Sequence, residues 1–139
     1  MSASARAKQI YGIGVDIVSI SRIKRLHERY GDRFLKKAYH QEEIEIFQNC
    51  KQHCVNKYDY LASRWAAKEA VQKAISSPRI LFPEIFVTSS DDSMNRRPCL
   101  KFEGLLARIC AERNICSSHV SISHEEDKAV ANVILEQTL

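Results

Sequence analysis

A single α+β domain is the fold class that this 139-residue sequence predicts, and three observations predict it. First, residues 10–18 alternate apolar side chains with glycines and end near an acid, which is the period of a strand. Second, the alanine-rich run Arg64–Ala74 repeats its apolar positions at spacings of three and four, which is the period of a helix. Third, the other strand-like and helix-like segments follow no strict strand–helix–strand alternation, so the helices should pack on a small, mainly antiparallel sheet. A flexible segment over 1–9 is expected to precede one domain over 10–139, a length that can bury a hydrophobic core.

Each element has its own signal. In the first strand Tyr11, Ile13, Val15 and Ile17 should share one side, and Ile10, Gly12, Gly14 and Asp16 the other. Glycines beside Asp16 leave room for a close approach. A helix should follow, capped by Ser19 or Ser21, with Ile20, Ile23, Leu26 and Tyr30 as its apolar stripe and Gly31 as its stop. A second helix is expected over about 41–52, with Ile44 and Phe47 inward. Asp59 should cap a third over about 60–75, whose core stripe is Ala67, Ala70, Val71 and Ala74; Ser76-Ser77-Pro78 ends it. Strands are expected at 84–89 and 100–102 around a polar loop, then a helix over 104–113. Two closing strands, 119–124 and 129–136, flank a hairpin turn at Glu125-Glu126-Asp127-Lys128.

Composition narrows the classes. The chain is 45% hydrophobic and 27% charged, an ordinary globular balance. No apolar run approaches the roughly 20 residues of a membrane helix, and the N-terminal residues lack the apolar core of a secretory signal. The net charge of +4 is interrupted by acidic stretches at 42–45 and 125–127, and no nucleic-acid motif appears. Cys50, Cys54, Cys99, Cys110 and Cys116 are odd in number and contain no CxxC, so free thiols in a reducing compartment are expected. Cys50, His53 and Cys54 lie close in sequence but lack the second half of a zinc site.

The chemistry-bearing residues are few. Asp16 and Glu69 suit magnesium, which binds one or two carboxylates together with substrate phosphates. Ala62, Ala66, Glu69 and Lys73 share a helix face, so Lys73 would set a cation beside the same phosphates. The plain alternative is an exposed Glu69–Lys73 pair and a strand-end Asp16 with no site between them. His124, at a strand end beside Ser123, could bind phosphate or shuttle a proton, or simply occupy a turn. Arg22, Arg25 and Arg29 form one basic stripe, suited to an acidic partner or merely solvated.

These residues carry a family likeness. Tyr11-Gly-Ile-Gly-Val-Asp-Ile-Val-Ser-Ile-Ser-Arg-Ile23 resembles the opening motif of the holo-acyl-carrier-protein synthases, which are small 4′-phosphopantetheinyl transferases. Arg64-Trp-Ala-Ala-Lys-Glu-Ala-Val-Gln-Lys-Ala74 is similar to their second motif, and Val120-Ser-Ile-Ser-His124 with Ala129–Glu136 to their C-terminal hairpin. The resemblance implies the 4′-phosphopantetheinyl transferase fold. It implies transfer of the phosphopantetheine arm of coenzyme A to a serine of apo acyl carrier protein, releasing adenosine 3′,5′-bisphosphate. By position, Asp16 and Glu69 would be Mg2+ ligands, and Glu69, Lys73 and Asp16 the catalytic set. Arg64, Lys68, Lys73, Ser123 and His124 would bind coenzyme A, with Arg64 reaching it from a neighbouring protomer. Arg22, Arg25 and Arg29 would meet the acidic helix of the carrier. The proton of the attacking serine would pass to a metal-bound water or to Glu69. A chain of this length, with no internal repeat, fits the family's homotrimers, whose active sites lie between protomers. The carrier would serve fatty-acid synthesis or another pathway. The compartment would be the mitochondrion of a eukaryote, or the cytoplasm. Trp65 replaces the commoner phenylalanine, and His40 stands where a threonine cap is usual. A non-catalytic basic adaptor, docking acidic proteins through the arginine stripe, is the reading from a different class; a single-stranded nucleic-acid binder is a third.

Overall fold

The structure, a computed structural model, describes residues 5–50, 56–91 and 94–139. Along the chain run β1 (Lys8–Ser19), α1 (Ile20–Tyr30), α2 (Asp32–Ala38), α3 (Gln41–Gln48) and α4 (Lys57–Ile75). A 3-10 turn (Phe82–Glu84) then leads to β2 (Ile85–Ser89), β3 (Pro98–Phe102), α5 (Gly104–Glu112), β4 (Ile115–Glu125) and β5 (Lys128–Thr138). One sheet has the order β1-β5-β4, antiparallel throughout; β2 and β3 form a separate antiparallel pair. The α+β expectation holds. Among the described residues, no helix is long and apolar enough to cross a membrane.

The core lies between α4 and the inner face of the larger sheet. Ala66, Ala67, Ala70, Val71 and Ala74 of α4 pack with Ala129, Ala131, Val133 and Leu135 of β5. Small residues on both sides let helix and sheet approach closely. A Cβ at Gly14 would overlap the Ala70 carbonyl oxygen, and one at Gly12 the Ala74 carbonyl oxygen. Glycine is therefore required on the Asp16 side of β1 because helix backbone lies against it.

Several boundaries depart from the sequence reading. β1 begins at Lys8, because Lys8 and Gln9 pair with Thr138 and Gln137. A register shift between Ile10 and Gly12 reverses the expected sides there. Ile10 is exposed, while Tyr11 packs against the core and accepts a hydrogen bond from the Arg113 guanidinium at 2.8 Å. Helix α2 was not anticipated: only Phe34 and Leu35 mark its apolar side among charged neighbours, yet both are buried. Helix α3 ends at Gln48, short of the expected 52, and residues 51 and 52 lie outside the described residues. Helix α4 starts at Lys57, so Asp59 sits in its first turn rather than capping it.

His40 does cap α3. Its Nδ1 accepts from the Glu42 amide at 3.1 Å, while Glu43 accepts from the His40 amide at 3.0 Å. Cys99, Cys110 and Cys116 are free, as expected, but Cys50 is disulfide-bonded. His53 and Cys54 lie outside the described residues.

Candidate functional site

Close packing of α4 on β1 brings the two sequence-distant carboxylates together. Asp16 faces the helix, where Lys73 Nζ lies 3.2 Å from its Oδ1 and also donates to the Val15 carbonyl at 2.8 Å. Glu69, one turn before Lys73, is half-buried. Its carboxyl is raised above the usual glutamate range by burial first and by the Asp16 charge second, against the opposing pull of Lys73 and Arg22. Asp16 and Glu69 are thus two like charges held near one another, with Lys73 and Arg22 as the nearby cations. Two neighbouring carboxylates beside a lysine are a donor set of the kind magnesium takes together with substrate phosphates.

Lys68, expected at the coenzyme A site, lies elsewhere, which corrects the sequence reading. Its side chain is 0% exposed and pairs at 2.6 Å with Glu43, also 0% exposed. The ammonium further donates to the Phe82 carbonyl at 3.0 Å and to the Ile85 carbonyl. The second Glu43 oxygen accepts from the Val87 amide at 3.2 Å. Burial pushes the Lys68 ammonium below lysine's ordinary value, and Glu43 pulls it back. With its three protons engaged by protein, Lys68 locks α4 to α3 and β2 rather than reaching a ligand.

A second cleft, of about 340 Å³, gathers Arg64 and His124 with Asp59, Tyr60, Arg96 and Pro98 among its walls. Arg64 lies over the Tyr60 ring at 4.2 Å and donates to the Ser63 hydroxyl at 3.0 Å. Burial drives the Tyr60 hydroxyl up to about 12, with Arg64 opposing. Asp59 Oδ1 and Arg64 Nε are buried with no hydrogen-bond partner among the described residues. Unsatisfied buried polar atoms of both signs in one cleft point to a polar ligand. Tyr60 was not singled out from sequence, and Asp59 only as a helix cap. The available signal was the spacing of Tyr60 and Arg64, one helical turn apart.

Ser123 is not brought to this cleft with Arg64. Adjacent strand residues face opposite ways, and Ser123 instead lines a hollow of about 480 Å³ with Ile17, Lys128 and Val130. His124, at the strand end, borders both.

The arginine stripe is exposed along α1, and its members face different neighbours. Arg22 leans over the Trp65 ring at 5.9 Å and is close enough to Glu69 to lower its pKa. Arg29 lies over Tyr30 at 5.2 Å. Beside the stripe, Arg22, Arg33 and Lys37 rim a hollow of about 510 Å³ floored by Leu26, Phe34 and Trp65.

The chain is similar to known proteins over nearly its whole length. A model of the 4′-phosphopantetheinyl transferase superfamily matches residues 12–131. The holo-acyl-carrier-protein synthase of Dechloromonas aromatica is 42% identical over 130 residues, covering 91% of this chain and 98% of that protein. The crystal structure of the holo-acyl-carrier-protein synthase from Neisseria meningitidis is similar with a TM-score of 0.79 at 33% identity, over 91% of this chain and 98% of that one. The Helicobacter pylori synthase in complex with coenzyme A gives 0.72 at 28% identity, over 88% and 98%.

Proposed function

The chain belongs to the 4′-phosphopantetheinyl transferase superfamily, and from that premise we infer its reaction. It transfers the 4′-phosphopantetheine moiety of coenzyme A to a serine hydroxyl of apo acyl carrier protein, giving holo carrier and adenosine 3′,5′-bisphosphate. The observation that carries this reading is the meeting of Asp16, Glu69 and Lys73 where α4 crosses β1.

Asp16 and Glu69 are the residues that would hold Mg2+, which when bound would neutralise charge on the pyrophosphate of coenzyme A. Lys73, already at the Asp16 carboxylate, is placed to contact phosphate and to stabilise charge on the departing bisphosphate. In the transfer, the serine oxygen forms a bond to the phosphorus that carries the pantetheine arm. The bond from that phosphorus to the bridging oxygen breaks, and the electron pair leaves with the bisphosphate. The serine proton must also leave. Glu69 lies beside the site as a carboxylate that could accept it, directly or through a water. The orphaned polar atoms beside Arg64 and His124 support binding of the nucleotide end of coenzyme A in that cleft. Exposed Arg22, Arg25 and Arg29 suit the acidic face of a carrier.

Two features favour a homotrimer with shared sites. Arg64 and Glu69 are five residues apart on α4 and so point about 140° away from each other. One coenzyme A would meet both sets more readily if they came from adjacent protomers. In addition, Ile13 and Ile17 of β1 are 64% and 63% exposed on the sheet face that α4 does not cover, beside Val15, Val130 and Ile134. Such an apolar face marks an interaction surface. Ile13→Lys should convert the assembly to single protomers in light scattering; a wild-type chain that already runs as a single protomer would sink the trimer.

The transfer itself is tested by intact-mass spectrometry of several apo carriers incubated with the chain, coenzyme A and Mg2+. A mass gain of one phosphopantetheine on the carrier serine is expected. No gain on any carrier would remove the enzyme reading and favour a docking role for the arginine stripe.

A further inference from the structure

Helix α1 is capped by a residue from the other end of the chain. Ser19, at its N-cap position, makes no side-chain cap, and its hydroxyl instead accepts from Lys128 Nζ at 2.8 Å. No acid lies in the first turn. The orphan donors there are met by Asp127, in the two-residue turn between β4 and β5. The Ile20 amide donates to the Asp127 carbonyl at 2.8 Å. The Ser21 amide donates to Asp127 Oδ1 at 2.8 Å, and the Ser21 hydroxyl to Oδ2 at 2.6 Å. These bonds, aided by Lys128 and Arg25, hold the Asp127 carboxyl below the usual aspartate range. In the same turn Glu126 adopts a positive φ of 51°, a conformation an L side chain keeps only where surrounding contacts hold it.

The position of this clasp matters more than its strength. On one side it grips Ser21, immediately before Arg22 and five residues after Asp16. On the other it grips the turn that follows His124. Arg22 lies within the first turn of α1, the part of a helix that frays when its donors lose their partners. Its direction over Trp65 and toward Glu69 therefore depends on that turn staying formed.

We propose that Asp127 is a positioning residue for carrier recognition: by clasping Ser21 it fixes the first turn of α1 and aims Arg22 across the Asp16–Glu69 site. It touches neither substrate in this reading and acts through α1 alone. The inference rests on the transferase reading.

The test is steady-state transfer by full-length Asp127→Ala, Asp127→Asn and Ser21→Ala chains, varying apo carrier and coenzyme A separately and recording thermal melts alongside. The Ile20-to-Asp127 backbone bond survives in every variant, so the chain should still fold. Asp127→Ala should raise the carrier KM about tenfold, from the size of a lost helix cap, and leave the coenzyme A KM within about twofold. Asp127→Asn keeps an oxygen acceptor for the Ser21 amide while losing the charge, and should stay within about threefold of wild type. Ser21→Ala, which loses only the hydroxyl bond, should raise the carrier KM about threefold and carries the test if Asp127→Ala does not fold.

The proposal is overturned if Asp127→Ala leaves the carrier KM within twofold, or if Asn and Ala behave alike, which would assign the effect to charge. It is equally overturned if both KM values rise together with a falling Tm, which would be general loosening. Wild-type chain that transfers nothing would instead remove the transferase reading on which the proposal stands.

Discussion

Two lysine–carboxylate pairs hang from one helix, five residues apart, and they do opposite things. Glu43–Lys68 is sealed, with both side chains 0% exposed at 2.6 Å. Asp16–Lys73 is looser at 3.2 Å, and the lysine is 54% exposed. In the sealed pair the ammonium has three acceptors, and both carboxylate oxygens receive donors from His40, Val87 or Lys68. A network so saturated can hold position but has no valence left for a ligand. In the open pair, Lys73 keeps a solvent-facing ammonium and Glu69 sits alongside with a charge that the fold disfavours. Saturation on one side of α4 anchors the helix; on the other, the lysine and the carboxylates keep solvent-facing groups.

Breaking the sealed pair should have the largest effect on stability. Lys68→Met strands the Glu43 carboxylate in the core and should cost about 3–5 kcal/mol in chemical denaturation. The double variant Glu43→Leu with Lys68→Met removes both charges and should recover most of that loss. If Lys68→Met melts like wild type, the pair does not anchor α4.

Glu69→Gln should reverse the balance between stability and activity. Transfer should fall by about 10²–10⁴-fold if Glu69 takes the serine proton. The sign of the stability change follows from linkage. The folded pKa of Glu69 is raised, so the unfolded chain releases this proton first. Stability is therefore complete below the ordinary glutamate pKa and declines as pH rises through the folded value. At pH 7 the glutamine variant should melt at or above the wild-type Tm, and that difference should vanish in acid. A lower Tm at pH 7 would contradict the burial argument.

Lys73→Met should have the smallest structural effect and a selective functional one. An exposed pair of this kind is worth about 0–1 kcal/mol, so denaturation should barely change. Turnover should fall more than tenfold if Lys73 stabilises charge on the departing bisphosphate, an effect of the size attributed to positioned cationic groups. Unchanged turnover would return Lys73 to being an ordinary surface partner of Asp16.

The open pair was legible in the sequence and the sealed one was not. Glycines beside Asp16 and alanines beside Glu69 are local signals, and the packing of Gly14 against Ala70 is their direct consequence. Lys68 gave no warning, because a lysine is almost never buried and its partner Glu43 belongs to a different helix 25 residues earlier. The same limit hid Asp127, which caps α1 from 106 residues away while Ser19 and Ser21 looked like sufficient local caps. Helix α2 was missed because only Phe34 and Leu35 carry its pattern. Ser123 and His124 do line one hollow together, while Arg64, expected to act from a neighbouring protomer, lies in another cleft that His124 also borders.

The division of labour on α4 is tested most directly by the Mg2+ concentration that half-saturates phosphopantetheine transfer. This is to be measured for wild type, Glu69→Gln and the Glu43→Leu, Lys68→Met double variant. The account predicts that the double variant, once folded, keeps the wild-type Mg2+ dependence, while residual transfer by Glu69→Gln requires more than tenfold higher Mg2+, as loss of one of two carboxylate ligands implies. Wild-type Mg2+ half-saturation in Glu69→Gln, or a shift in the double variant as large as that in Glu69→Gln, would contradict it.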